Sequence, residues 1–169
     1  MKLATYLLLL IGFTQLYSQN INLEQLTLWR QTNYKIVDEE LLKMGWEKSI
    51  SKETEDIYRN DQYFLNKGSK NEKVLTLMYT NDYKLENNCI SYNAIKDQNF
   101  DNFLNQIKSS DYKEFKSNKN ENVISDYYQS DKLTVIASIL KGIDEQMQEI
   151  KFYTIYLSTS IDYHNSHKD

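Results

Sequence analysis

The sequence predicts an α+β protein in which a helix is followed by three antiparallel strands, twice over (αβββ twice), with the helices packed on one face of the sheet. Three observations predict it. Apolar residues recur at helical spacing from Tyr34 to Met44 and again from Phe100 to Ile107. Alternating β-branched and aromatic stretches follow each run, and the two runs are related by an offset of 66 residues.

In the first run Tyr34, Val37, Leu41 and Met44 are spaced by three, four and three residues, along one side of a 3.6-residue helix. Asn33 is placed to cap the first turn, Gly45 to stop the helix with a left-handed residue, and Trp46 to turn the chain back to the core. In the second run Phe100, Phe103 and Ile107 fall on Tyr34, Val37 and Leu41, Leu104 adds a fourth apolar position, and Tyr112 falls on Trp46. A polar link follows each copy, SISKETED at 49–56 and FKSNKNEN at 115–122. The apolar pairs Ile57-Tyr58 and Val123-Ile124 keep the same offset. Internal similarity at a fixed spacing is the mark of a duplicated unit.

At the start of the chain, Lys2 precedes the apolar run Leu3 to Phe13, too short for a membrane span of roughly 20 apolar residues. Residues 1–18 read as a secretory signal peptide with cleavage after Ser18, which predicts export to the periplasm or the medium. Beyond it, 19 Lys and Arg stand against 24 Asp and Glu. This acidic balance without a basic block argues against nucleic acid or anionic lipid as partner. Cys89 is the single cysteine, so no internal disulfide holds the fold, and it reads as a small buried side chain in a strand.

Ile21 to Arg30 reads as a lead-in helix, with Asn22 and Gln25 as capping pair, Leu23, Leu26 and Trp29 on one side, and a bend near Thr32-Asn33. Ile57 to Leu65, Val74 to Thr80 and Cys89 to Ile95 are the strands of the first half. Asn66 to Asn71 is a turn in which Gly68 supplies positive φ. Val123 to Gln129, Leu133 to Leu140 and Glu149 to Thr159 are those of the second half. Ser130-Asp131-Lys132 is a tight turn and Lys141 to Met147 a looser one. LTVIASIL is apolar on both faces and is expected near the centre. With no proline to form a stiff linker, residues 19–160 are expected to form one domain of two similar halves, about 21–96 and 97–160, and 161–169 a flexible tail.

Chemical motifs are sparse. His164 and His167 stand in the last six residues, where neither a catalytic triad nor a rigid metal site is expected. Asp38-Glu39-Glu40 and Glu53, Glu55, Asp56 form acidic clusters that read as solvated faces, and no phosphate-binding glycine loop or dinucleotide fingerprint occurs. Tyrosines concentrate in or beside the strands. Their apolar ring and polar tip suit either a recognition surface or a sheet core whose hydroxyls reach the rim.

On Leu41-Leu42-Lys43-Met44-Gly45-Trp46, and on Asn105-Gln106-Ile107-Lys108 before Tyr112, the chain resembles small exported α+β proteins of Gram-negative bacteria. That resemblance implies a signal peptide, a lead helix, a helix ending in Lys-x-Gly-aromatic, and then strands. The tandem order also looks like the architecture of β-lactamase inhibitor proteins. This chain departs from them in lacking paired cysteines and an inhibitory-loop motif, so no functional residue carries across.

The expected function is therefore an exported, non-enzymatic protein-binding module, inhibitor or immunity-like, with a protein partner, no cofactor and no transmembrane segment in the mature chain. Tyr58, Tyr63, Tyr79, Tyr92 and Tyr128 are the candidate contacts. Two alternatives stand beside it. One is an envelope-associated accessory or structural protein. The other is a small carboxylate-dependent hydrolase in which Glu53, Glu55 or Asp56 converges with another acid.

Overall fold

A computed structural model describes residues 21–53, 58–80, 88–95, 99–144 and 146–160. The predicted signal peptide, most of the acidic link at 54–57, both histidines and the tail lie outside them.

Helix α1 (Leu23–Arg30) starts where Asn22 Oδ1 accepts from the Gln25 amide at 2.8 Å, and it buries Leu23, Leu26 and Trp29 as its spacing predicts. Helix α2 (Tyr34–Lys43) is capped by Asn33, whose side chain accepts from the Lys35 amide at 3.0 Å. It ends in a Schellman motif: Gly45 has φ +84°, its amide donates to Leu42 O, and the Trp46 amide donates to Leu41 O at 3.0 Å. Trp46 is thereby turned inward and is 2% exposed. Helix α3 (Asn99–Ser109) buries Phe100, Phe103 and Ile107.

Eight strands form one antiparallel sheet: β1 (Glu47–Glu53), β2 (Tyr58–Leu65), β3 (Lys73–Thr80), β4 (Cys89–Ile95), β5 (Lys113–Lys119), β6 (Val123–Gln129), β7 (Leu133–Ile143) and β8 (Glu149–Thr159). Their spatial order is β1-β2-β3-β4-β8-β7-β6-β5, two four-stranded meanders joined side by side at β4 and β8. Each helix-led half therefore has four strands where the sequence predicts three. The extra strands, β1 and β5, form from the stretches read as polar links. An edge strand pairs on one side only and needs little apolar content, so every residue of β5 is exposed although the strand pairs along its length with β6. Both edge strands carry a register shift at matching places, between Lys48 and Ile50 and between Glu114 and Lys116.

Three further expectations are corrected. β7 runs on to Ile143, because Lys141, Gly142 and Ile143 pair with Lys151, Ile150 and Glu149. The central pair is β4 and β8, with β7 one place outward. Cys89 is half-exposed on its strand rather than buried.

All three helices cover the same face. Tyr34 of α2 meets Tyr79 of β3 with ring centroids 5.8 Å apart, Phe103 of α3 meets Tyr92 of β4 at 5.3 Å, and Phe100 meets Tyr153 of β8 at 4.9 Å. The helices are not equivalently seated, however. α1 lies over β4, so α2 is displaced outward onto β1, whereas α3 packs on β8 and against α1. The buried residues under the helices form a single core spanning both meanders.

Candidate protein-interaction surface

Beneath α2 lies the most charged part of the interior. Asp61 of β2 has a fully buried side chain; Arg59 Nε donates to its Oδ2 at 2.9 Å, and Lys48 Nζ stands 3.5 Å from the same oxygen. Lys48 also reaches Asp38 of α2 at 3.1 Å. The Arg59 guanidinium lies 3.9 Å from the Tyr34 ring centroid, and the Lys48 ammonium 5.3 Å from that of Tyr63. Among the described residues two acids thus face two cations, in a cluster that ties α2 to β1 and β2. It was not foreseen, because Asp38 read as part of a solvated face.

Burial, and then the negative charge nearby, raises the pKa of Tyr63 and Tyr79 well above the ordinary phenol value of 10.0. For Tyr63 that charge is Asp61 and Asp38; for Tyr79 it is Tyr63 and Asp61. The Tyr79 hydroxyl is buried without a hydrogen-bond partner, as is one oxygen of Asp61. A phenol whose folded-state pKa is raised contributes stability that is complete below the unfolded-state pKa and is lost as pH climbs past it. Stability is therefore expected to be flat through neutral pH and to fall above pH 10. Tyr79→Phe should reduce that alkaline loss while leaving neutral stability unchanged or higher by about 1 kcal/mol, since it removes an unsatisfied hydroxyl. Urea unfolding at neutral and alkaline pH checks both; an unchanged alkaline loss in the variant would exonerate Tyr79.

The five candidate contact tyrosines do not come together on a surface. Tyr63, Tyr79, Tyr92 and Tyr128 all point under the helices and are 0, 7, 3 and 3% exposed. Tyr58 begins β2 opposite Thr80 in register, and its side chain lies outside the described ones. The same holds for the Glu53 side chain and for Glu55 and Asp56. Among the described residues no three His, Cys, Asp or Glu side chains gather as metal ligands. An open groove of about 670 Å³ between α1 and the end of α3 is lined by Leu23 and Leu28 together with Thr27, Gln106, Ser110 and Tyr112. The Gln106 side-chain Oε1 in it already accepts from the Leu23 amide at 2.8 Å.

The surface that stands out is the face of the sheet turned away from the helices. Cross-strand partners share a face, so the register assigns every position. One row crosses six strands as Gln62, Thr76, Ser91, Tyr156, Ile136 and Tyr127. The next runs Phe64, Val74, Asn93, Thr154, Ser138 and Ser125. Beyond it Ile95, Phe152, Leu140 and Val123 make an apolar end. No charged residue occurs at any position on this face of β2, β3, β4, β8, β7 or β6. All the charged residues of those strands, Arg59, Asp61, Lys73, Asp126, Lys141, Glu149 and Lys151, fall on the helix side. An antiparallel sheet with one wet face ordinarily sorts the other way, apolar in and charged out.

Several polar groups on this face are paired with one another. Ser125 and Ser138 hydroxyls lie 2.8 Å apart, Thr154 Oγ1 donates to Asn93 Oδ1 at 2.8 Å, and Asn93 Nδ2 donates to Ser91 Oγ at 3.3 Å. Three others on the same face, Asn60 Oδ1, Thr134 Oγ1 and Ser158 Oγ, are buried without a hydrogen-bond partner. Lys113 and Lys116 stand at its rim on β5, Lys116 over the Tyr127 ring at 5.2 Å.

Comparison with protein-family models, curated proteins and solved structures finds no match to this chain.

Proposed function

We propose that the chain is an exported, non-enzymatic protein-binding module whose binding surface is the uncharged face of its sheet. The sorting of charge carries this reading. Six adjacent strands keep all their charged residues on the helix side of the sheet and none on the opposite face, which presents Met78, Ile136, Tyr156 and Phe152 among hydroxyls and amides, several of them paired with one another. Bulky apolar and aromatic residues amid uncharged polar groups are the composition of an interface core. Export rests on the positive-then-apolar N-terminal run of the sequence.

The sheet supports descent from a duplicated unit. Asp61 and Tyr63 on β2 correspond to Asp126 and Tyr128 on β6, 65 residues on, and Ser51 opposite Asp61 corresponds to Ser117 opposite Asp126. With the matched register shifts, two homologous meanders are the economical account, the helices having diverged around the additional α1.

The test is a pull-down from periplasm or culture fluid with tagged wild-type chain and with Ile136→Lys, an untagged copy of the chain being co-expressed. Wild type should recover one protein in stoichiometric amount, foreign or a second copy, and the variant should lose it while keeping its circular dichroism spectrum. Repeated recovery of no stoichiometric partner would defeat the reading.

A further inference from the structure

The geometry points to a second copy of this chain as the occupant of the uncharged face: we propose that two molecules pack sheet against sheet, each covering the other's rows of Gln62 to Tyr127 and Phe64 to Ser125. This rests on the protein-binding reading above and names its partner.

Three observations favour self-docking over a foreign surface. First, a symmetric pair brings like surfaces together, so a face bearing charge would meet its own sign wherever it lay near the two-fold axis. Across the six inner strands no such penalty arises, charged positions on this face being confined to the edge strands, Glu47 and Lys52 on β1 and Lys113 and Lys116 on β5. Second, the area fits. Six strands at about 4.8 Å spacing and seven residues at about 3.3 Å rise give a planar footprint of roughly 650 Å². That is close to the roughly 800 Å² per partner of a standard stable interface. Third, aligned sheets pack about 10 Å apart with interdigitating side chains. The mixture here of large residues (Phe64, Met78, Ile136, Tyr156) with small ones (Ser91, Ser125, Ser138, Thr154) supplies knobs and gaps on one and the same surface.

Sedimentation equilibrium of the purified chain over a wide concentration range is the test. The expected result is a reversible two-chain species. Ile136→Lys, in the middle of the face, should raise its dissociation constant by about a hundredfold or more, because each interface would bury two unpaired ammonium groups. Ser91→Lys, at a smaller side chain on the same row, is the second variant should Ile136→Lys not fold. Leu28→Lys, at a 61% exposed residue of α1, should leave the association unchanged. A single-chain mass at every concentration would overturn the proposal, as would a two-chain species indifferent to both face variants. If the mass stays single while a foreign protein is captured through this face, self-docking falls and the protein-binding reading stands. If neither species forms, both fall.

Discussion

Asp61→Ala is expected to lower the free energy of unfolding by about 3–5 kcal/mol. The carboxylate is fully buried, and two cations converge on one of its oxygens, Arg59 at 2.9 Å and Lys48 at 3.5 Å. Those cations are only about a fifth exposed, so water replaces the lost anion poorly. Lys48 retains Asp38, whereas Arg59 loses the carboxylate to which it donates at 2.9 Å. Asp61→Asn keeps the shape and an acceptor but not the charge, and should fall between wild type and Ala. Asp38→Ala removes a more exposed partner and should cost about 1 kcal/mol. Urea unfolding measures all three. A cost for Asp61→Ala no larger than that for Asp38→Ala would mean that solvent reaches the cluster and that it does not anchor α2.

Trp29→Ala should be comparably damaging, at about 3–5 kcal/mol. The ring is 1% exposed in the core of α1, and its Nε1 donates to Glu40 Oε2 of α2 at 2.6 Å, so one side chain both fills the core and joins two helices. The two contributions separate in Trp29→Phe, which keeps most of the apolar volume and leaves Glu40, an exposed residue, to be hydrated. That variant should cost about 1–2 kcal/mol. Equal losses for Phe and Ala would mean that the hydrogen bond, not the volume, secures α1.

How much of this was legible in the sequence follows from what each element needs. The helices were readable because Val37, Leu41, Phe103 and Ile107 repeat at helical spacing and Asn22, Asn33 and Gly45 supply their ends. Interior strands such as Val123–Gln129 and Glu149–Thr159 were readable from alternation, to the residue. β1 and β5 were not, because EKSISKE and KEFKSNK carry the polarity of a linker while their main chains pair like any ladder.

The candidate surface hid for a different reason. Alternation states that Leu75, Leu77 and Tyr79 share one face and Val74, Thr76 and Met78 the other, yet both sets are apolar enough to be core. Only the position of the helices decides between them. The strand-borne charges were the available clue, since Arg59, Asp61, Lys73 and Asp126 all sit in phase with the residues that the helices cover. Reading charge as a mark of solvent concealed it, and the same habit promoted four core tyrosines to contact residues.

The kinks in the two outermost strands bear on how assembly stops. A flat outer strand with free amides and carbonyls invites another molecule to add on, and repetition of that step gives a fibril. Here both borders of the ribbon are bent out of register at corresponding points, and one is studded with Lys113, Lys116 and Lys119. Lateral growth is blunted at either end, so the pairing proposed for the broad side of the sheet would close as a finite complex.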